Sequence, residues 1–386
     1  MPTTVGVLAA AEPERRVALT PDGVTRLRAL GVDVLVEAGA GAGAWMADKD
    51  YDDAGAAVRS RADVLAGSNV LVLIGRPDDA ALSTIGPGCA IVGMLQPLVD
   101  TALVRRCRDG GITAISLDGI PRTLSRAQSM DVLSSQANVA GYKAVLLAAN
   151  LYSRYLPMLI TAAGTAAPAR VLILGAGIAG LQAIGTARRL GANVVAYDVR
   201  PVARAEVESL GAVFLELRSA VAAEGEGGYA RALTAAEQEA QRQELVEHIS
   251  RQDILITTAA VPGRKPPMLV SATAVANMRA GSVIVDLASG PSGGNVEVSR
   301  AGRTIITENG VTVVGADELP SSVPAAASSA YSRNLVAFLQ HAIKDGELVI
   351  DLADEIDAGV VVTHAGTIVQ PAVAASIASE NLEREK

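Results

Sequence analysis

The chain has 386 residues and a net charge of −8; half of its residues are hydrophobic and only 3% are aromatic. That length is ample for two cores at the usual domain size of about 100–200 residues, and the acidic balance argues against a nucleic-acid partner. Cys89 and Cys107 are the only cysteines, the opening PTTVGVLAAAEPERR has no charged region followed by an apolar run, and glycine or charge interrupts every apolar stretch before the roughly 20 residues of a membrane helix, so a cytoplasmic chain with no direct membrane insertion is expected.

In the first third of the chain, short β-branched runs alternate with helical stretches: TVGVL from Thr4, DVLVE from Asp33, NVLVLIG from Asn69, AIVGML from Ala90 and ITAIS from Ile112. This pattern predicts βαβ units and a mostly parallel sheet. Cores made of Ala, Val, Leu and Ile rather than aromatics suit such a sheet, covered by helices on both faces. From Ser125 the text changes to SRAQSMDVLSSQANVAGYKAVLLAANLYSRYL, polar at its start and without strand alternation, so a loop feeding a long helix is predicted. A second α/β domain opens at Val171 and continues through ILITTAA, SVIVDLA and VTVVGA to about Leu319. The stretch AYSRNLVAFLQHAIK from Ala330 predicts another long helix, which returns the chain to the first domain. The acidic tail ENLEREK reads as a frayed end. The expected fold is therefore α/β, with two Rossmann-like domains of mostly parallel sheet: residues 1–134 with 320–386, and residues 135–319. Two long helices join them and frame a cleft outside the carboxyl ends of the second sheet.

The most informative run is Val171 to Asp198, VLILGAGIAGLQAIGTARRLGANVVAYD. It reads as a buried strand, a glycine turn, a helix and a second strand closed by an acid, the context that a dinucleotide fingerprint requires. Gly175 makes the tight turn, Gly177 lets backbone approach a pyrophosphate, and Gly180 lets the helix pack against the sheet. Ala176 and Ile178 complete the turn, whose free helix N–H groups face the phosphates. Asp198 lies eighteen residues past Gly180, where a carboxylate accepts hydrogen bonds from the adenosine ribose and repels a 2′-phosphate, favouring NAD over NADP. Val199 and Arg200 follow at the same strand end and are counted with the cofactor site.

Several segments add to this: RAQSMDVLSSQANVAGYKAV, GAGIAGLQAIGTARRLGANVVAYDVRP, EGEGGYARAL, TTAAVPGRKPP, GSVIVDLASGPSGGN and TENGVTVVG. Together they resemble the alanine dehydrogenase/transhydrogenase family, and within it the NAD(H)-binding component of proton-translocating NAD(P) transhydrogenase. The resemblance spans essentially the whole chain and is to the form in which this component is a separate subunit. It implies hydride transfer between NADH bound here and NADP+ held by a partner subunit, coupled to proton translocation by membrane-spanning subunits. It further implies a homodimer, cytoplasmic and peripheral to the inner membrane through those partners, with no metal. In the family the nicotinamide and its ribose are held by the loop before the linking helix, which here supplies Arg122, Gln128, Asp131 and Ser134, with Arg126 nearby. The spacing from Arg122 to Gln128 is one residue longer than the family pattern. The alternative reading of Arg126 or Asp131 is a helix cap. Gly228 and Tyr229, in the glycine-rich run from Gly225, resemble the family's mobile loop over bound nucleotide; a plain flexible linker is the alternative. Gln241, Thr258, Ala259 and Ala260 match further NAD(H) contacts, the last three at a carboxyl strand end.

Alanine dehydrogenases share much of this text and are the competing reading. Oxidising an amino acid requires a proton acceptor and charged partners for the carboxylate. Aligned by the resemblance, Arg16 matches the dehydrogenases' arginine, but Gly75, Gln96 and Gly290 stand where their lysine, histidine and aspartate fall. Arg16 without these partners reads as structural, and His248, His341 and His364 as surface or structural residues. Direct hydride transfer needs no side-chain acid or base, so positioning residues should dominate. A non-catalytic NAD(H)-binding module is the third reading.

Overall fold

A computed structural model describes residues 3–218, 233–261 and 265–384. The chain divides into two compact units, Met1–Gln136 with Ser321–Lys386, and Ala137–Pro320.

The first unit is built on an eight-stranded sheet. In spatial order its strands are Thr367–Ile368, Val361–His364, Thr113–Ser116, Ala90–Gly93, Val70–Val72, Thr4–Val7, Asp33–Glu37 and Ala57–Arg59. The last six pair in parallel, whereas Val361–His364 runs antiparallel to Thr113–Ser116 and forms a hairpin with Thr367–Ile368. Successive strand residues go to opposite faces. Val70, Val72 and Val92 therefore enter one apolar core, Leu71 and Ile91 the other. With both faces covered, the central strands are apolar throughout rather than alternating, and each fully buried Val, Leu or Ile contributes about 1.5–3 kcal/mol.

The second unit repeats the plan with seven strands: Val213–Phe214, Asn193–Tyr197, Arg170–Leu174, Ile254–Thr257, Val283–Asp286, Thr312–Gly315 and Thr304–Ile306. Only the last pairing is antiparallel. Val171, Ile173, Ile254 and Ile256 pack on one face and Leu172, Leu174 and Leu255 on the other. Thus the β-branched runs of the sequence become the central strands of both sheets. The edge strands Ala57–Arg59, Val213–Phe214 and the 361–368 hairpin carry too short a pattern to stand out. In that hairpin Ala365 and Gly366 have φ of +48° and +73°, the left-handed pair that a tight hairpin turn requires.

The polar start of the linking segment is a 3-10 helix, Ser125–Met130, rather than a loop, and the long helix Val132–Leu151 follows it. This helix begins in the first unit and enters the second. There Gly141 is required by packing: a Cβ would lie 2.1 Å from the Ala179 carbonyl oxygen. The chain returns at Leu319–Ser322, just ahead of the second long helix, Pro324–Ala342. Among the described residues, no helix is long and apolar enough to cross a membrane.

Candidate functional site

The site in the second unit starts at the carboxyl end of Arg170–Leu174. Gly175 has φ +99°, a left-handed conformation that glycine adopts without steric cost. Its N–H donates to the Tyr197 carbonyl at 2.8 Å, and its own carbonyl accepts from the Thr258 hydroxyl at 3.0 Å. A Cβ at Gly180 would sit 1.9 Å from that carbonyl oxygen, so the helix Ile178–Arg189 packs on the turn only because residue 180 has no side chain. Gly177 differs from both. Its φ is −78° and, among the described residues, a Cβ there would meet nothing within 4 Å, so no described atom demands glycine; its missing side chain leaves room for a ligand. Elsewhere, helices open on side-chain caps such as Thr20, Ser60, Asp78 and Thr234, but among the described residues no side chain caps the helix that begins at Gly177. Its first-turn N–H groups and its positive dipole end are those of an anion site. An open cradle beside uncapped N–H groups fits a dinucleotide pyrophosphate. Ala176 is fully buried in the turn, and Ile178 is half-buried.

The neighbouring strand Asn193–Tyr197 delivers Asp198 to the same turn. Its carboxylate accepts from the Ala176 N–H at 2.8 Å, and from the Arg200 N–H at 2.8 Å, Nε at 3.0 Å and Nη2 at 3.0 Å. Val199 packs on the Leu172 and Leu174 core. Gln241 is buried, its amide donating to the Tyr197 hydroxyl at 2.9 Å; burial pushes that hydroxyl's pKa up, against the pull of the Gln241 bond. Gln241 thus supports the strand that carries Asp198. Thr258 and Ala259 border Gly175, whereas Ala260 is exposed.

Two residues that the sequence reading did not single out hold this strand end. The Asn295 side chain accepts from the Ala259 N–H at 3.0 Å and donates to the carbonyls of Ala259 at 2.8 Å and Pro267 at 2.7 Å. The buried Asp286 carboxylate in turn accepts from the Thr257 hydroxyl and from the N–H groups of Ala288, Asn295 and Val296. Burial raises its pKa, while those bonds pull the other way. The signal was the run DLASGPSGGN itself: a Cβ at Gly294 would meet Asp286 Oδ2 at 2.3 Å, so the loop can close on that carboxylate only with glycine there.

In the first unit the structure brings together Arg122, Asp131 and Ser134. Arg122 Nε donates to Asp131 Oδ2 at 2.9 Å and its Nη2 to the Ser134 hydroxyl at 2.8 Å. The Ser134 hydroxyl also bonds Asp131, and the Ser134 N–H donates to Asp131 Oδ1 at 2.9 Å. Asp131 therefore caps the linking helix and holds Arg122 at once, and the extra residue before Gln128 leaves Arg122 within reach. Gln128 is exposed beside this cluster. Arg126 is not part of it: its guanidinium pairs with Asp354 at 2.8 Å, a tie within the first unit. Asp354 also lies near His341 and Asp357, three groups whose ligand atoms are within 4.8 Å of one another. Arg126 and the Ile356 and Asp351 N–H groups already engage those carboxylates.

Of the four dehydrogenase positions, one keeps its arginine and the other three hold glycine or glutamine. Arg16 is buried against Glu14 and Gln136. Burial raises the Glu14 pKa, but the Arg16 hydrogen bonds and charge outweigh it and hold that carboxyl below its ordinary range. Gln96 sits in a left-handed turn with φ +48°, its N–H on Asp118. Gly290 bridges Gly293. Of the histidines, His341 contacts Asp357 and His364 contacts Thr113, while His248 lies in the last turn of Ala235–Ser250. Gly228 and Tyr229 lie outside the described residues.

The alanine dehydrogenase/PNT N-terminal domain matches residues 6–140 and the C-terminal domain residues 144–371. The NAD(P) transhydrogenase subunit alpha of Cereibacter sphaeroides is 40% identical over 384 residues, covering 97% of this chain and 73% of that protein. The solved structure of transhydrogenase from Sinorhizobium meliloti superposes with a TM-score of 0.85 at 41% identity, over 95% of this chain and all of that one. An L-alanine dehydrogenase structure is more distant in sequence, with 27% identity and a TM-score of 0.80 over 98% and 99% of the two chains. By domain matches that span both units and by identity over nearly its full length, the chain belongs to the alanine dehydrogenase/PNT family, on the side of the NAD(P) transhydrogenase alpha subunits.

Proposed function

We propose that this chain is the NAD(H)-binding component of a proton-translocating NAD(P) transhydrogenase. The observation that carries the reading is the Gly177 cradle: open space and uncapped helix N–H groups at a turn where Gly175 and Gly180 are sterically required, closed by the acid Asp198. The Gly175 to Gly180 turn binds the pyrophosphate, and the end of the strand at Asp198 borders the adenosine ribose. Thr258, Ala259 and Ala260 line the neighbouring strand end. Arg122, Asp131 and Ser134 form a rigid base beside Gln128, which orients the nicotinamide end. NADH supplies a hydride that passes directly to NADP+ on a partner subunit, so no side chain has to move a proton, in keeping with Gly75, Gln96 and Gly290 at the dehydrogenase positions. Membrane-spanning partners couple the transfer to proton translocation, and the chain works as a homodimer on the cytoplasmic side of the membrane.

Two measurements test this. Titration by NADH fluorescence is expected to show NADH bound at least tenfold more tightly than NADPH, with hydride transfer on adding the NADP(H)-binding partner. Equal or tighter NADPH binding would sink the assignment. Separately, the purified chain with NAD+ and L-alanine, or with pyruvate, ammonia and NADH, is expected to show no turnover in a spectrophotometric assay. Steady turnover of a few per second would make it an amino-acid dehydrogenase instead.

A further inference from the structure

A carboxylate offers about four lone-pair sites, and all four on Asp198 are taken: one by the Ala176 N–H, one by the Arg200 N–H and two by the Arg200 guanidinium. The two side chains are 8% and 17% exposed. An acid so occupied is half of a nearly neutral pair, and a neutral pair repels a 2′-phosphate weakly. Charge repulsion by Asp198 alone is therefore a poor account of selection against NADP(H). Arg200 supplies the missing part. Its Nη2 also donates to the Ala176 carbonyl at 3.2 Å, so the guanidinium is anchored at the same turn. A guanidinium presents the planar fork of donors that binds phosphate in a bidentate manner, and an arginine at this strand end is how a dinucleotide fold accommodates a 2′-phosphate. The next cation along the chain, Arg204, is engaged elsewhere, by Glu208 and Glu216 and over the Phe214 ring at 5.2 Å.

We propose that Asp198 and Arg200 act as one specificity element, in which the acid disfavours NADP(H) chiefly by occupying the guanidinium that would otherwise bind its 2′-phosphate. The chain thus carries a latent NADP(H) site masked by the Asp198 carboxylate, with the Glu206 charge adding to its hold on Arg200. This rests on the reading that the strand end at Asp198 borders the adenosine ribose.

The test is a set of binding titrations on the full chain, with NADH and NADPH as probes: the unmodified protein, Asp198→Asn, and Asp198→Asn with Arg200→Gln. Asp198→Ser, which keeps an oxygen for the Ala176 N–H, serves as a second release of Arg200 should the asparagine variant fold poorly. Freeing Arg200 is expected to raise NADPH affinity at least tenfold and to narrow the preference for NADH, and the gain should shrink with added salt, as a charge-assisted contact does. The double variant is expected to return NADPH affinity to within about twofold of the unmodified protein. A gain that survives in the double variant, or no gain in either single variant while NADH still binds, overturns the proposal alone. Failure of every protein to bind either nucleotide overturns the proposed function with it.

Discussion

Gly180→Ala is expected to weaken NADH binding at least a hundredfold. The new Cβ would lie 1.9 Å from the Gly175 carbonyl oxygen and 2.9 Å from its carbon, both backbone atoms that no rotamer change can clear. Gly175 itself cannot retreat. Its N–H is fixed to Tyr197, its carbonyl accepts from Thr258, and a Cβ of its own would already clash with Thr258. The helix Ile178–Arg189 must therefore slide off the strand end and carry the Gly177 cradle with it. Overpacking of this kind costs about 1–3 kcal/mol in stability, so the variant should remain folded with a lower melting temperature. The larger effect falls on the ligand, because the uncapped N–H groups lose their aim; a hundredfold corresponds to about 2.7 kcal/mol. Fluorescence titration beside a circular-dichroism melt measures both. A folded variant whose affinity stays within threefold would show that this helix start does not hold the pyrophosphate.

The second large effect is expected at Gln128, and in rate rather than affinity. Its side chain is exposed and, among the described residues, no group holds its amide, whereas Arg122, Asp131 and Ser134 are locked to one another. A neutral amide left free beside a rigid base can orient a ribose or carboxamide without altering the charge near the ring. Gln128→Asn retracts that amide by about the 1.5 Å of one carbon–carbon bond, and a misplacement near 1 Å can cost roughly a hundredfold in rate. Single-turnover hydride transfer with the NADP(H)-binding partner should fall about a hundredfold, while NADH affinity stays within twofold. Transfer within a factor of two of the unmodified protein, with both sites saturated, would mean that Gln128 positions nothing.

Much of the fold was legible because it is written locally. Alternation in runs such as VLILG and ILITT sends neighbouring residues to two cores, and uninterrupted apolar text marks strands covered on both faces. The turn at Gly175 is equally local, since positive φ and the close approach at Gly180 concern residues five apart. What the sequence could not show was which groups would already be engaged. Asp198 reads as a free acceptor, but in the structure Arg200 and Ala176 fill its lone pairs. Gln241 reads as a cofactor contact and lies in the core, holding Tyr197. Arg126 is drawn to Asp354, 228 residues away along the chain. Asn295 acquires its role because Asp286 folds a glycine loop back against Ala259. Periodicity and turn chemistry are set by residues within a few positions of one another, so the sequence by itself determined the sheets and the glycine turn. Hydrogen-bond capacity is shared among whatever groups the paired strands bring close, and only the tertiary structure decided how it was divided.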